Sequence, residues 1–304
     1  MILCAVLFLC MLLFFPEIAV AGSKYGAALW LSQLLPTLLP FFIAIRLFDM
    51  CLPRVAEKRL FLLTGLLCGY PAGAALVMSQ YEKGLISQRQ AYFFLGFVNN
   101  PSPMFILVFC GNTILGLSSS QSFILFFIVV FSSLLGSLLF FGIQTMTSRL
   151  RPDKKMLVSR HSEEPLPVAT SLPKTVSHSF SEQLDTIILD SFVVLVKIGG
   201  YVILFSIFGQ FINHLLPPHS VFSILLSGSL EITSGVSYVK TALLGAEIRK
   251  VLTIAILTFG GLSAAAQTGS ILTKSELSIF PYIINKGINS LLAVLFSLFL
   301  IGIF

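Results

Sequence analysis

Charge is what this chain lacks most. Of its 304 residues, 19 are Lys or Arg and 13 are Asp or Glu, 11% in all, against roughly 25% in an ordinary soluble domain. So few charges cannot cover a soluble surface, which excludes a soluble globular enzyme. Intrinsic disorder is excluded too, because it needs low hydrophobicity and high charge. Cysteine is sparse: Cys4, Cys10, Cys51, Cys68 and Cys110 show no Cys-x-x-Cys or Cys/His spacing and read as small apolar fillers rather than a disulfide or metal framework. The four histidines, His161, His178, His214 and His219, fall in loops between apolar runs. No Ser/His/Asp arrangement, His-Glu-x-x-His or Walker-type loop is present. The expectation is therefore no catalytic residue, no metal and no cofactor. The net charge of +6 does not point to nucleic acid, since the basic residues sit in short loops where they set membrane orientation.

What the chain has is hydrocarbon. Apolar residues make up 56%, Phe alone occurs 29 times, and mean hydropathy is +0.95. The runs are long and unbroken, whereas a transmembrane β-barrel shows short alternating segments. The fold class is an all-α polytopic protein of the cell membrane. Ile2 to Phe15 predicts an N-terminal transmembrane helix over 1–24, with a signal-like alternative because Ala19-Val20-Ala21 resembles a cleavage site. Further apolar segments fall at 25–45, 60–79, 91–118, 121–147, 187–213, 221–239, 251–272 and 279–304. A polar stretch at 148–186, with Pro152, Pro165, Pro167 and Pro173 and six basic residues, predicts a cytoplasmic linker.

The linker separates two halves, 25–147 and 187–304, that look like repeats. A shift of 162 residues places Gly73 on Gly235 and Phe97 on Phe259. Each half holds a leading helix, a Gly-interrupted segment, a long segment broken midway and a final helix. The first break is Asn99-Asn100-Pro101-Ser102-Pro103, where two prolines force an unwound stretch. The second is Gly260-Gly261-Leu262-Ser263, which yields through glycine. If 60–79 turns back as a re-entrant hairpin, twelve Lys and Arg from 46–59, 80–90 and 148–186 share one face. The positive-inside rule favours that arrangement and makes the halves inverted. Lys240, Arg249 and Lys250 then fall outside, against the rule.

Non-helical backbone at membrane depth survives only when buried in protein or lining a wet cavity. Two re-entrant hairpins and two broken helices, paired by an inverted repeat, point to a secondary transporter core with its site near the midplane; the plainer alternative is a set of kinks. The candidate substrate-binding residues follow from the interruptions. They are Gly69, Tyr70, Pro71 and Gly73 at the first tip, and Asn99, Asn100 and Ser102 at the first break. Glu231, Thr233 and Ser234 stand at the second tip, and Gly261, Ser263 and Gln267 at the second break. Glu231 either takes part in transport chemistry or caps the helix after it. Lys197, on the 187–213 helix with Asp190, either snorkels to the interface or offers a positive charge to an anionic solute. The partners expected are a small-molecule substrate, Na+ or H+ as candidate coupling ion, and the lipid bilayer; self-association is left open.

These clusters carry a family resemblance. Gly69-Tyr70-Pro71-Ala72-Gly73-Ala74, Gly84-Leu85-Ile86-Ser87, Asn99 through Phe105, Glu231 through Gly235, and Gly260 through Ser263 with Gln267 resemble the YlbJ-like sporulation membrane proteins. That group belongs with the nucleoside-recognition or Gate domain proteins, which resemble concentrative nucleoside transporters. The resemblance implies an inverted-repeat transporter core, and in the YlbJ-like branch passage of dipicolinate out of the mother cell during spore formation. The rival to transport is a membrane scaffold of a sporulation complex, with the 148–186 linker as its docking segment.

Overall fold

A computed structural model of the chain describes residues 2–51, 54–150, 180–217, 220–273 and 275–300. Among them every regular element is helical. Helix α1 (Ile2–Phe14) is followed by α2 (Pro16–Leu29), which runs through a π-helical turn, Trp30–Leu34, into α3 (Leu35–Cys51). This corrects the expected first helix over 1–24. Pro16 occupies the first turn of α2, where its missing N–H is no loss and its fixed φ suits a helix start. The boundary therefore falls at Phe15, and the long apolar helix begins nine residues earlier than the segment at 25 suggests.

Four short helices form two helical hairpins. The first is α4 (Arg54–Cys68) and α5 (Ala72–Glu82). Then come α6 (Gln88–Val98), a π-helical segment Phe105–Ile114, and α7 (Ser119–Leu150). The long α8 (Phe180–Leu215) leads into the second hairpin, α9 (Val221–Leu230) and α10 (Ile232–Thr241). The chain ends with α11 (Ala246–Phe259), α12 (Gly261–Leu272) and α13 (Ile279–Leu300). Helices of 10 to 15 residues reach only about 15–22 Å at 1.5 Å per residue, short of a hydrocarbon core about 30 Å thick. The hairpin arms do not cross singly. Among the described residues, five longer helical stretches have the length and hydropathy to do so: Pro16–Leu47, Ser119–Thr147, Ser181–Leu215, Ala246–Leu272 and Ile279–Phe299.

The flanks of the expected linker are helical, since α7 reaches Leu150 and α8 starts at Phe180; its middle lies outside the described residues, with His161 and His178. His214 belongs to the last turn of α8 rather than to a loop.

Small residues set the helix packing. Gly22 and Gly26, four apart on α2, meet α8: a Cβ on either would lie 2.7 or 2.8 Å from the Cα of Ile207 or Ile203. Backbones approach this closely only where side chains are absent, the usual device of membrane helix pairs. One turn further on, the Trp30 indole donates to the Leu195 carbonyl at 2.9 Å, lying over Gly199. The outward faces of α7, α8 and α13 expose Phe123, Phe127, Val193, Val196, Leu291 and Leu295, as lipid contact requires.

Candidate functional site

The first tip is built by Gly69. Its φ of +69° is in the left-handed region, and a Cβ there would sit 2.7 Å from the Ser102 amide and 2.8 Å from the Asn100 carbonyl. Only glycine suits both demands. The contact is productive, because the Tyr70 N–H donates to that same Asn100 carbonyl at 3.0 Å. The Tyr70–Pro71 peptide is cis. Gly73, in the first turn of α5, lies against Asn99, whose Cα would be 3.2 Å from an added Cβ. The first hairpin tip therefore sits on the first break.

The break begins where α6 ends. Ser87 and Gln90 start α6 with a capping box, and Asn99 leaves the helical region at its far end with φ −85° and ψ 68°. The Asn99 side chain satisfies three elements at once. Its Oδ1 accepts from the Ala74 N–H at 3.1 Å, and its Nδ2 donates to Thr268 Oγ1 at 2.8 Å and to the Tyr282 hydroxyl at 3.1 Å. Asn100 donates to the Phe97 carbonyl at 2.6 Å, while its Oδ1 accepts from Ser133 Oγ at 3.1 Å and from Lys286 Nζ at 2.6 Å. Ser102 Oγ accepts from the Phe105 N–H at 3.3 Å and starts the π-helical segment.

The second tip is a single residue. Glu231 is extended, with φ −147° and ψ 122°, and serves as the last cap of α9 and the first of α10. Its Oε1 accepts from the Thr233 N–H at 2.9 Å and its Oε2 from the Ser234 N–H at 2.6 Å. The hairpin arms close through glycine, since a Cβ on Gly235 would lie 2.2 Å from the Gly228 Cα. Ser234 Oγ hydrogen-bonds Ser206 Oγ of α8 at 2.7 Å. At the second break Gly260 and Gly261 both take positive φ, 83° and 75°. A Cβ on Gly261 would meet the Gly228 and Leu230 carbonyls, each at 3.2 Å. The second tip therefore rests on the second break.

Both tips and both breaks border one buried cavity of about 40 Å³. Its polar lining is Tyr70, Ser102, Glu231, Thr233, Ser263 and Gln267, and Phe42, Phe105 and Val202 supply much of the apolar wall. The volume admits a few waters at roughly 10–15 Å³ each and is far below the roughly 300 Å³ where small-molecule pockets begin. The space is too small to hold a solute in this conformation. Glu231 is 3% exposed. Gln267 Nε2 donates weakly to Ser263 Oγ at 3.4 Å, and among the described residues its buried Oε1 has no partner.

Thus six of the expected residues line the cavity. Gly69, Pro71, Gly73, Asn99, Asn100, Ser234 and Gly261 stand directly behind it, shaping the tips and breaks. Lys197 does not join them: it is exposed on α8, on the same outward face as Val193 and Val196, while its neighbour Ile198 borders the cavity. The snorkelling alternative fits that position. The deep cation is Lys286, 1% exposed, which sequence reasoning missed. With Tyr282, Asn285 and Asn289 it forms a polar stripe at i, i+3, i+4 and i+7 of α13. That spacing inside an apolar run was the available signal.

Fold and site define the class: an all-helical, multi-pass membrane protein whose hairpin tips and helix breaks enclose a buried polar cavity. The chain is similar to the sporulation integral membrane protein YlbJ of Bacillus subtilis (strain 168), with 27% identity over 326 aligned positions, covering 94% of this chain and 78% of that protein. That similarity spans most of both chains. No family model matches it, and no solved structure does.

Proposed function

We propose that the chain is a secondary transporter rather than an enzyme, moving a small polar or anionic solute, dipicolinate-like or nucleoside-like, across a membrane of a sporulating cell. The observation that carries this reading is the meeting of two hairpin tips and two helix breaks at one cavity, where the buried Gln267 Oε1 has no partner among the described residues. The sporulation setting comes from the similarity to YlbJ. The order of parts supports two related halves, and the 162-residue shift carries Gly69 of the first tip onto Glu231 of the second. Inversion of those halves, with the 148–186 linker on the cytoplasmic side, is part of the same proposal. A cavity of about 40 Å³ is then a contracted state, and entry of solute requires a tip to lift from its break. Na+ and H+ remain the candidate coupling ions.

Uptake into proteoliposomes tests the proposal, with dipicolinate, a short dicarboxylate and a nucleoside as solutes. Wild-type protein is expected to carry at least one well above empty liposomes, and Glu231→Ala and Asn100→Ala to lose that uptake. No uptake of any class by correctly folded wild type, or equal uptake by all three proteins, would sink it.

A further inference from the structure

Among the described residues, Lys286 is the one charged side chain fully inside the helix assembly that neither tip nor break supplies. Its ammonium donates to Asn100 Oδ1 at 2.6 Å, just past the C-terminal end of α6. On the way it passes the C-terminal end of α11: its Cε would be 3.6 Å from a Cβ on Gly260, the residue that caps α11. Its neighbours on α13 mark the same direction. Asn285 Nδ2 donates to the Tyr92 carbonyl at 3.1 Å and Asn289 Nδ2 to the Gly96 carbonyl at 3.0 Å, both on α6. Lys286 has no ion-pair partner among the described residues.

An unpaired ammonium in hydrocarbon is costly unless something replaces a counter-ion. Here the replacement is the Asn100 side-chain oxygen, with two helix ends beside the Lys286 side chain. A helix C-terminus carries roughly half a negative charge, and two such ends meet at this side chain with an amide oxygen between them. In broken-helix membrane proteins that arrangement, half-helix C-terminal ends with unwound backbone nearby, is what holds a diffusible cation. We propose that Lys286 is the resident cation of this crossing: its ammonium, tethered to α13, fills the place between α6 and α11 that a sodium ion would otherwise take. The consequence for coupling rests on the transporter reading, namely that no ion need bind at this crossing for the cycle to run. The occupancy itself does not rest on it.

Thermal unfolding of the full-length protein in nanodiscs, in sodium chloride and in choline chloride at equal ionic strength, tests the occupancy without any transport. Wild type is expected to shift between the two salts by much less than Lys286→Ala does. Lys286→Met, which fills the space without charge, is expected to melt several degrees lower in both salts. Lys286→Ala, which leaves the Asn100 and Ser133 oxygens around a void, is expected to melt lower still in choline and to recover at least half of that loss in sodium. Sodium that raises the wild-type midpoint as much as it raises that of Lys286→Ala overturns the proposal. So does Lys286→Met melting with wild type, or Lys286→Ala that sodium leaves unchanged. A protein that carries no solute but shows the expected pattern would reject the transporter and keep the resident cation.

Discussion

Glu231 can be asked which of its two roles it performs, because the geometry separates them. As a cap, its carboxylate accepts the Thr233 and Ser234 N–H groups at 2.9 and 2.6 Å. As a cavity group, it borders the small space shared by both tips. Glu231→Ala removes both acceptors and leaves two buried donors, each costing about 1–3 kcal/mol, so a loss of about 2–6 kcal/mol is expected. At about 2–4 °C per kcal/mol, the midpoint should drop by about 4–24 °C. Glu231→Gln keeps one carbonyl oxygen in place and loses the charge assistance that roughly doubles such bonds; about 1–2 kcal/mol, or a few degrees, is expected. The fluorescence of Trp30, the single tryptophan, follows unfolding in purified protein. Proteoliposome uptake per folded molecule is then the second axis. If Glu231 contacts solute or coupling ion, Glu231→Gln should lose at least tenfold in uptake while remaining folded. Glu231→Gln with wild-type uptake per folded molecule would leave the carboxylate a cap and nothing more. Glu231→Ala melting with wild type would refute the capping geometry itself.

Three further outcomes are expected. Asn99→Ala strips partners from the Ala74 N–H, Thr268 and Tyr282 together, and at about 0.6–1.7 kcal/mol per bond in a membrane should cost about 2–5 kcal/mol; Thr268→Val, losing one of those bonds, should cost less than half as much in the same melt. Gly235→Ala forces a Cβ to 2.2 Å from the Gly228 backbone and should prevent recovery of folded protein, whereas Gly142→Ala on α7, with open space around it, should gain up to about 1 kcal/mol from helix propensity. Lys197→Ala, on the exposed face of α8, should leave both the melting midpoint and uptake within twofold of wild type; a large loss of uptake would return Lys197 to the site.

The hairpins and breaks were legible because they violate local rules that an apolar helix otherwise obeys. Asn99-Asn100-Pro101-Ser102-Pro103 cannot stay helical, and the unwound stretch begins at Asn99 as that pattern requires. Gly69 and Glu231 fall at the two tips for related reasons: one residue has no Cβ, and the other carries an acceptor of the right length for an N-cap. Lys286 was not legible in the same way. It breaks no backbone rule on α13, and its meaning lies in what it touches across 186 residues of sequence, the Asn100 side chain. Lys197 misled for the complementary reason. Depth along a helix can be counted in sequence, but the direction a side chain faces depends on packing, here of α8 with α2 through Gly22 and Gly26. The start of α2 was missed because hydropathy ran smoothly through Phe15 while Pro16 marked the boundary.

The two breaks are not held alike, and that asymmetry bears on how the small cavity opens. The first is tied by side chains from four elements: Asn99 to α5, α12 and α13, Asn100 to α7 and again to α13, with the tip bonded to the Asn100 carbonyl. Opening it would expose several polar groups to hydrocarbon at once, each costing about 1–3 kcal/mol. The second break is made of Gly260 and Gly261, and no side chain caps the N-terminus of α12. Glycine contacts of van der Waals type resist separation far less than a satisfied polar network, and each such atom contact is worth only about 0.1–0.2 kcal/mol. The second tip and the start of α12 should therefore move first, with the first tip and α6 as the fixed wall. Hydrogen exchange reads this directly: amides at 260–264 should exchange at least tenfold faster than those at 98–102. Asn99→Ala should bring the two rates together by loosening the first break, and equal protection of both breaks in wild type would refute the asymmetry.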